Sequence, residues 1–362
     1  MSAFENFVGT REVSDAHRFD TQALTLWLQA NMPGFSGPLE VEMFKGGQSN
    51  PTYKLNTPSK SYVMRAKPGP VAKLLPSAHA IEREYAVMSG LQGTGVPVAQ
   101  MHVLCDDESV IGRAFYVMEF VQGRVLWDQA LPGMTAPERR TIYLEMNRVI
   151  AALHAVEHVA QGLGSFGKPG NYFDRQIGRW SKQYIASVTQ PIPEMDKLME
   201  WLPAHMPASA RADHTCIVHG DFRLDNLIFH PTEPKVLAVL DWELSTLGHP
   251  LADFSYHCMS WHIPPGSFRG IGGLDHAALG IPLQDEYIEL YCQRSGLTTL
   301  EALKPDWNFY LAYNMFRIAA ILQGIAKRVE DGTASSEQAK ASSAGARPMA
   351  ELAWLFAQRS DS

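Results

Sequence analysis

Alternating apolar and polar positions characterise much of the first third of the chain. Residues 20–32 instead repeat apolar side chains at helical spacing, which predicts a short amphipathic helix with Asp20 as its N-cap. Alternating runs follow, and a helix over 77–92 with Ser77 as N-cap interrupts them. The runs are "LEVEMFKGG", "PTYKLN", "SYVMRAK", "VPVAQMHVL" and "AFYVMEFV". We therefore predict a small lobe over residues 1–121, with an N-terminal helix, a five-stranded antiparallel sheet and one inserted helix.

Helical periodicity replaces the alternation beyond the segment "VQGRVL" at 121–126. The predicted helices cover 137–157, 171–190, 284–295, 306–329 and 348–358. The small-residue segment 331–346 predicts a loosely packed connection. At 362 residues the chain is long for a single core, so a second, mainly helical lobe over 122–362 is expected. The predicted fold class is α+β, with two lobes of unequal size.

Composition and charge narrow the choice of partners. A net charge of −7 argues against a nucleic-acid-binding protein, which usually carries a basic excess. No apolar run is long enough to cross a bilayer, and the N-terminus lacks the basic start and apolar run of a secretory signal. The four cysteines are widely spaced, which is typical of buried free thiols in a reducing compartment. We expect a cytoplasmic protein without membrane or nucleic-acid partners.

The loop "IVHGDFRLDNLIF" at 217–229 concentrates polar side chains between aliphatic ones. It carries His219, Asp221, Arg223, Asp225 and Asn226, and the strand "KVLAVLD" ends in Asp241. Phosphoryl transfer requires a carboxylate that accepts the proton of the acceptor hydroxyl, and oxygen ligands that hold Mg²⁺. The spacing predicts Asp221 as the general base, with Asn226 and Asp241 as Mg²⁺ ligands. Any one of these residues alone could instead bond its own backbone, as Asx residues in loops often do.

With these motifs the chain resembles the aminoglycoside phosphotransferase family, kinase-like enzymes that include aminoglycoside, choline and homoserine kinases. The resemblance covers about residues 40–330 and is strongest to the branch found fused to acyl-CoA dehydrogenases. It implies a protein-kinase-like fold, with ATP or GTP as the co-substrate and Mg²⁺ as the cofactor. His219 and Arg223 join Asp221 as catalytic-loop candidates, and His219 is expected to serve mainly as a scaffold.

The resemblance also assigns a loop that covers the phosphates, within "FKGGQSNPTYKL" at 44–55. Two glycines there allow close backbone approach, and three polar side chains can donate to phosphate oxygens. These candidates are Gly46, Gly47, Gln48, Ser49 and Asn50. A Gly-Gly pair between strands is, on its own, more often a hairpin turn, but its position ahead of the other motifs favours the phosphate-covering loop.

Further nucleotide contacts follow from the same resemblance. Arg65 occupies the place of the phosphate-binding cation on the third strand, and Lys67, on the same face, is an alternative. Glu84 matches the helix carboxylate that pairs with this cation, unless it is simply a solvated helix charge. The linker "VMEFVQG" places the backbone from Glu119 to Val121 at the adenine edge.

Departures from protein kinases indicate a small-molecule enzyme. Gly220 replaces the arginine that precedes the catalytic aspartate in those kinases, and Glu243 follows Asp241 closely as an additional carboxylate near the metal. Asp253 matches a family position that we expect to orient the catalytic loop by hydrogen bonds.

The residues that select the acceptor are expected in the helical lobe. Arg317 and Arg328 fall on one face of the helix predicted over 306–329, which would suit an anionic acceptor such as a hydroxyacyl-CoA if that face borders the cleft. The alternative for this helix is a core helix with a basic last turn. We predict a Mg²⁺-dependent transfer of the γ-phosphate of ATP or GTP to a small-molecule hydroxyl. A catalytically silent nucleotide-binding or interaction module, and an aminoglycoside or choline-type kinase, are the alternatives.

Overall fold

The structure is a computed structural model that describes residues 9–45, 50–68, 80–333 and 337–360. Four of the predicted phosphate-loop residues, Gly46, Gly47, Gln48 and Ser49, lie outside the described residues, as does Ser77.

Strands and helices are numbered separately in chain order. The strands are β1 (Thr10–Arg11), β2 (Glu40–Phe44), β3 (Thr52–Asn56), β4 (Ser61–Ala66), β5 (Met101–Cys105), β6 (Phe115–Glu119), β7 (Arg124–Val125), β8 (Cys216–Val218), β9 (Leu227–Phe229), β10 (Val236–Val239) and β11 (Thr246–Gly248). The helices are α1 (Thr21–Asn31), α2 (Ile81–Leu91), α3 (Ala136–His154), α4 (Tyr172–Ser187), α5 (Pro193–Ala204), α6 (Ala208–Arg211), α7 (Pro250–Cys258), α8 (His276–Leu279), α9 (Gln284–Ser295), α10 (Leu300–Leu303), α11 (Trp307–Glu330), α12 (Glu337–Ser343) and α13 (Ala346–Ser360).

The chain divides into two compact units, and each is built from several segments. The first unit comprises Met1–Trp127, His158–Phe166 and Asp225–Ser245, and the second comprises Asp128–Glu157, Gly167–Leu224 and Thr246–Ser362. The predicted lobes, 1–121 and 122–362, are each one continuous segment. The segments His158–Phe166 and Asp225–Ser245 therefore belong to the first unit, whereas the sequence pattern assigned them to the second lobe.

The first unit is organised around an antiparallel sheet. Within the described residues this sheet has six strands in the order β1-β2-β3-β4-β6-β5, and the predicted meander β2-β3-β4 is confirmed. The additional strand, β1, pairs with β2 but is only two residues long, too short to show alternation. A second sheet in this unit has the order β10-β9-β7.

Alternation along β4 gives the sheet two chemically different faces. Tyr53 and Leu55 of β3 and Met64 of β4 are buried in one hydrophobic core with Leu24 and Leu28 of α1. Those two leucines are four residues apart and lie on one helix face. The predicted N-cap of α1 is confirmed, because Asp20 accepts hydrogen bonds from the backbone N–H groups of residues 22 and 23, both at 2.9 Å. Arg65 follows Met64 and projects to the opposite face of the sheet.

Helix α2 begins later than predicted. It begins at Ile81 with Ala80 as its N-cap, rather than after Ser77. Its buried positions are Ile81, Glu84, Val87, Met88 and Leu91, a spacing of three to four residues that defines one inward face. The apolar periodicity starts only at Ile81, which accounts for the later start.

The second unit is mainly helical. The predicted helices at 137–157, 171–190, 284–295, 306–329 and 348–358 correspond to α3, α4, α9, α11 and α13. Helix α11 passes through the interior, where Asn314 donates to Ser255 Oγ at 2.7 Å and so joins α11 to α7. Helices α5 and α7 were not predicted. The prediction of a loose connection over 331–346 is wrong in part, because α12 lies there.

Two global expectations can be compared with the structure. The four cysteines, at positions 105, 216, 258 and 292, are free and buried, as predicted. Across the part of the chain that the structure describes, no helix combines the length and the apolar character needed to cross a bilayer.

Candidate functional site

Arg65 is the centre of a charged cluster in the first unit. Its Nε lies 3.0 Å from Glu84 Oε2, and its Nη2 lies 3.3 Å from Asp241 Oδ1 and 3.5 Å from Glu243 Oε2. The arginine side chain is only 12% exposed. Burial alone would lower the pKa of Arg65, but Glu84 and the neighbouring carboxylates raise it above the usual arginine value, so the guanidinium remains charged. One cation therefore joins carboxylates from α2 and from the segment after β10.

Glu84 is held in place by further donors. Its Oε1 accepts from Asn50 Nδ2 at 2.9 Å, and its Oε2 accepts from Tyr116 Oη at 3.0 Å. Tyr116 lies on β6 directly opposite Arg65 of β4, so the sheet register places hydroxyl and guanidinium beside the same carboxylate. Burial raises the pKa of Glu84, whereas Arg65, Tyr116 and Asn50 act to lower it. The carboxylate is fully engaged and is not a solvated helix charge.

Asn50 has a different environment from the one predicted. We expected its side chain to donate to phosphate, but it is completely buried and donates to Glu84. Its amide therefore supports the ion pair from the interior.

Lys67, the alternative to Arg65, pairs with a different glutamate. Its Nζ donates to Glu82 Oε1, and the two side chains are 28% and 39% exposed. Strand β4 and the residue directly after it thus present two cations to α2, and each pairs with a different glutamate. Of these two cations, Arg65 is the one that also reaches Asp241.

Asp241 has an unusual backbone conformation. Its φ and ψ are 62° and 59°, in the left-handed region that non-glycine residues seldom adopt. The next residue, Trp242, is buried and donates its Nε1 to Val239 O at 2.9 Å, which anchors the turn after β10. Such strain persists only where the surroundings hold it, and it is common at functional sites.

Asn226 lies at the same end of the β9–β10 pair as Asp241. Its backbone carbonyl accepts from Leu240 N at 2.8 Å, directly before Asp241 in the chain. Its side chain is largely buried, whereas Asp241 and Glu243 are 35% and 26% exposed. The hairpin therefore places residues 226 and 241 at one end of its two strands, and Glu243 follows in the turn after β10.

The predicted linker residues lie next to the sheet. Glu119 ends β6, and its backbone N–H donates to Gln100 O at 2.8 Å. Val121, two residues later, is partly exposed.

The catalytic-loop candidates belong to the second unit. Asp221 Oδ1 accepts a hydrogen bond from Tyr256 Oη, and Asp221 Oδ2 lies 3.1 Å from Arg223 Nη2. His219 is fully buried, and its Nδ1 accepts from the backbone N–H of Asp221 at 3.2 Å. Gly220 between them has a φ of +82°, a conformation that favours glycine over any other residue.

Asp253 fixes the backbone of this loop. Its Oδ2 accepts from His219 N at 2.7 Å, and its Oδ1 accepts from Gly220 N at 2.8 Å. His154 Nε2 lies 3.2 Å from Oδ2. Burial alone would raise the pKa of Asp253, but His154 and His219 outweigh it and hold the pKa below the usual aspartate value. The expectation that Asp253 orients the loop by hydrogen bonds is confirmed.

Arg317 is part of the interior and not of an exposed basic stripe. It is 9% exposed, and its Nη2 donates to Gly220 O at 2.7 Å. Its guanidinium carbon lies 5.1 Å from the ring centroid of Tyr256 and 5.7 Å from that of Trp180. Arg328 is exposed, so the two arginines do not form one surface.

Several residues of these clusters were missed by sequence reasoning. Tyr116 and Tyr256 carry no motif, and only their tertiary neighbours reveal their partners. Tyr256 lies one helical turn after Asp253, but α7 was not predicted, so no signal in the sequence linked the two residues.

Comparison with known proteins identifies the family. The model of the phosphotransferase enzyme family (APH) matches residues 40–305. A crystallised Ralstonia eutropha protein, assigned provisionally as an aminoglycoside phosphotransferase, is 65% identical with a TM-score of 0.87, over 94% of this chain and 99% of that one. The GDP complex of an aminoglycoside 2'-phosphotransferase-IIIa mutant has the same fold at 15% identity, with a TM-score of 0.62 over 95% of this chain and all of that one. These structures confirm the predicted kinase-like α+β fold.

A curated relative agrees with the predicted branch. Acyl-CoA dehydrogenase family member 10 of Mus musculus is 47% identical over 354 residues, which are 97% of this chain and 32% of that protein. This chain thus spans about a third of that relative's length. The chain belongs to the phosphotransferase enzyme family.

Proposed function

We propose that this chain is a Mg²⁺-dependent phosphotransferase that transfers the γ-phosphate of ATP or GTP to a hydroxyl of a small molecule. The observation that carries this proposal is the cluster around Arg65, which joins Glu84, Asp241 and Glu243 within 3.5 Å. A buried, permanently charged guanidinium suits phosphate recognition, and partly exposed carboxylates suit Mg²⁺.

On the nucleotide side, Arg65 is the proposed phosphate ligand. Its guanidinium has five N–H donors in a planar fork, and its Nε side is ion-paired with Glu84. The remaining donors can turn from Asp241 and Glu243 to phosphate oxygens once a cation neutralises those carboxylates. That the structurally similar aminoglycoside 2'-phosphotransferase-IIIa mutant forms a GDP complex supports a nucleotide as donor.

Asp241, Glu243 and Asn226 would hold the Mg²⁺. Their carboxylate and amide oxygens fit its preference for hard oxygen ligands in small number, with phosphate and water completing the octahedron. Among the described residues, no three or more His, Cys, Asp or Glu side chains form a metal-binding group, so an all-protein cage is not the arrangement proposed. When bound, the metal neutralises charge on the phosphates.

Asp221 is the proposed general base. Its carboxylate accepts the proton of the acceptor hydroxyl as that oxygen bonds to the γ-phosphorus, while the bond from the γ-phosphorus to the bridging oxygen breaks and ADP or GDP leaves. Tyr256 donates to one oxygen of this carboxylate, and Arg223 pairs with the other.

We further propose a hydroxyacyl-CoA as the acceptor, because the curated relative is an acyl-CoA dehydrogenase family member. Arg317 does not support this choice, since it donates to Gly220 O.

An acceptor screen tests both parts of the proposal. Purified protein is given Mg-ATP or Mg-GTP with hydroxyacyl-CoAs, aminoglycosides, choline or homoserine, and nucleoside diphosphate release is measured against the Asp221→Asn protein as background. We expect turnover of at least one hydroxyacyl-CoA. Turnover of aminoglycosides alone would overturn the acceptor assignment. Nucleotide binding without transfer to any acceptor would favour the silent module.

A further inference from the structure

Helix α7 presents two residues to the catalytic loop, one turn apart. Asp253 accepts from the backbone N–H groups of His219 and Gly220, whereas the Tyr256 hydroxyl donates to the side chain of Asp221. Backbone and carboxylate are thus held from the same helix face. We propose that Tyr256 is a positioning residue that fixes the orientation of the Asp221 carboxylate towards the acceptor hydroxyl. This inference rests on the proposed role of Asp221 as general base.

The Tyr256 ring is itself immobilised by Arg317 of α11. The guanidinium carbon lies 5.1 Å from the ring centroid, and the same guanidinium donates to Gly220 O at 2.7 Å. A buried arginine over an aromatic face is attracted to the ring, which resists displacement of the hydroxyl. Arg317, predicted as a substrate ligand, is therefore better explained as the group that links the tyrosine to the loop backbone.

The contacts of Asp221 show what Tyr256 adds. Arg223 pairs with Oδ2 and Tyr256 with Oδ1, so the two donors restrain rotation of the carboxylate. Burial raises the pKa of Tyr256, which keeps the hydroxyl protonated and therefore a donor.

The hydroxyl has two opposing effects on the reaction. The hydrogen bond from the Tyr256 hydroxyl makes the Asp221 carboxylate a somewhat weaker base. The reaction rate changes by only a fraction of this change in basicity. Loss of orientation can cost on the order of a hundred-fold for a displacement near 1 Å. Orientation is the larger effect, so removal of the hydroxyl should slow the reaction.

The test compares Tyr256→Phe with a matched tyrosine. For Tyr256→Phe we expect kcat to fall roughly ten- to a hundred-fold with unchanged KM for nucleotide and acceptor. Tyr310→Phe removes a hydroxyl of the same unit that shares a hydrogen bond with Ser209 at 2.7 Å. Both variants should lower the melting temperature by about 2–4 °C, but only Tyr256→Phe should reduce kcat. An equal effect of both variants on kcat, or a rise in KM without a fall in kcat, would overturn the inference.

A double-mutant cycle separates this inference from the proposed function. If Tyr256 acts through Asp221, adding Tyr256→Phe to Asp221→Asn should slow the reaction little further, because the group being positioned is gone. A fall in rate in the double variant equal to the product of the falls in the two single variants would contradict the inference. Full activity of Asp221→Asn would instead refute the proposed function, whereas an inactive Asp221→Asn with a fully active Tyr256→Phe refutes only the role of Tyr256.

A second variant covers failure of Tyr256→Phe to fold. Arg317→Lys keeps the charge but loses the planar guanidinium that lies over the ring and reaches Gly220 O. The same fall in kcat at unchanged KM is expected, and unchanged kcat would count against the inference.

Discussion

Glu84→Gln removes one charge from the buried cluster while keeping the size of the side chain. In the native protein Glu84 Oε1 accepts from Asn50, and Oε2 accepts from Tyr116 and pairs with Arg65. Glutamine has one acceptor oxygen and one NH₂ group. Whichever way the amide is turned, its NH₂ faces at least one of these donors, so the substitution both removes an acceptor and introduces a donor–donor conflict.

The expected cost follows from this geometry. Removal of one partner of a buried ion pair typically costs about 3–5 kcal/mol, because the other charge is left uncompensated. Arg65 retains Asp241 and Glu243 at 3.3 and 3.5 Å, so its charge is still partly balanced. We therefore expect the lower end, about 3 kcal/mol in the free energy of unfolding. Binding of Mg-ATP should weaken about ten-fold, because the Arg65 guanidinium is no longer held by Glu84 and is less well placed to bind phosphate.

Glu82→Gln is the matched control, because it removes the same charge from the same helix. Glu82 pairs with Lys67, and both side chains are substantially exposed. Exposed pairs of this kind contribute about 0–1 kcal/mol. Chemical denaturation and calorimetric titration with Mg-ATP should therefore separate the two variants clearly. Equal losses of stability in both, or native stability and nucleotide affinity in Glu84→Gln, would refute the reasoning.

Three further predictions concern Asp253, two buried histidines and Asp241. Asp253→Asn should lower the free energy of unfolding by roughly 3 kcal/mol and reduce kcat, because a buried acceptor of three hydrogen bonds gains a donor. Chemical denaturation measures the first effect and initial rates the second. Unchanged initial rates would contradict the role of Asp253 in orienting the loop. Burial lowers the pKa of His249 and His257 to about 4, below the value near 6.5 of histidine in the unfolded chain. The stability that the two neutral histidines contribute is therefore fully present above pH 6.5 and is lost as the pH falls towards 4. Each histidine should contribute roughly 3 kcal/mol to this loss of stability at low pH. The free energy of unfolding of His257→Gln should therefore fall less between pH 6.5 and pH 4 than that of the native protein, and an equally steep fall would contradict the prediction. Asp241→Ala should abolish the Mg²⁺ dependence of ATP binding in calorimetry, and normal Mg-ATP affinity would rule out its role as a ligand.

Local periodicity was sufficient for part of the charged cluster. Alternation along β4 put Arg65 on the face opposite Met64, and this placement depends on a single element, so the sequence alone could predict it. The pairing of Glu84 with Arg65 was expected only from the family resemblance. Strand β1 is too short for this signal, and α7, buried at every position, lacks the polar face that periodicity requires.

Contacts between distant segments could not be predicted in the same way. The roles of Asn50, Tyr116 and Tyr256 depend on which residues the fold brings beside them. Arg317 illustrates the limit: helical spacing correctly grouped it with Arg328, but burial separates them. Periodicity gives the face of a helix and does not say what covers that face.

The most direct measurement of the central claim is phosphomonoester formation from Mg-ATP and a hydroxyl acceptor, followed in parallel with native and Asp221→Asn protein at matched nucleotide occupancy. We predict that the native protein transfers the γ-phosphate, and that Asp221→Asn binds Mg-ATP with the same affinity but transfers it at least a hundred-fold more slowly, an order of magnitude typical of a lost general base. Equal transfer rates for the two proteins, or no product from the native protein with any acceptor despite bound nucleotide, would contradict the account.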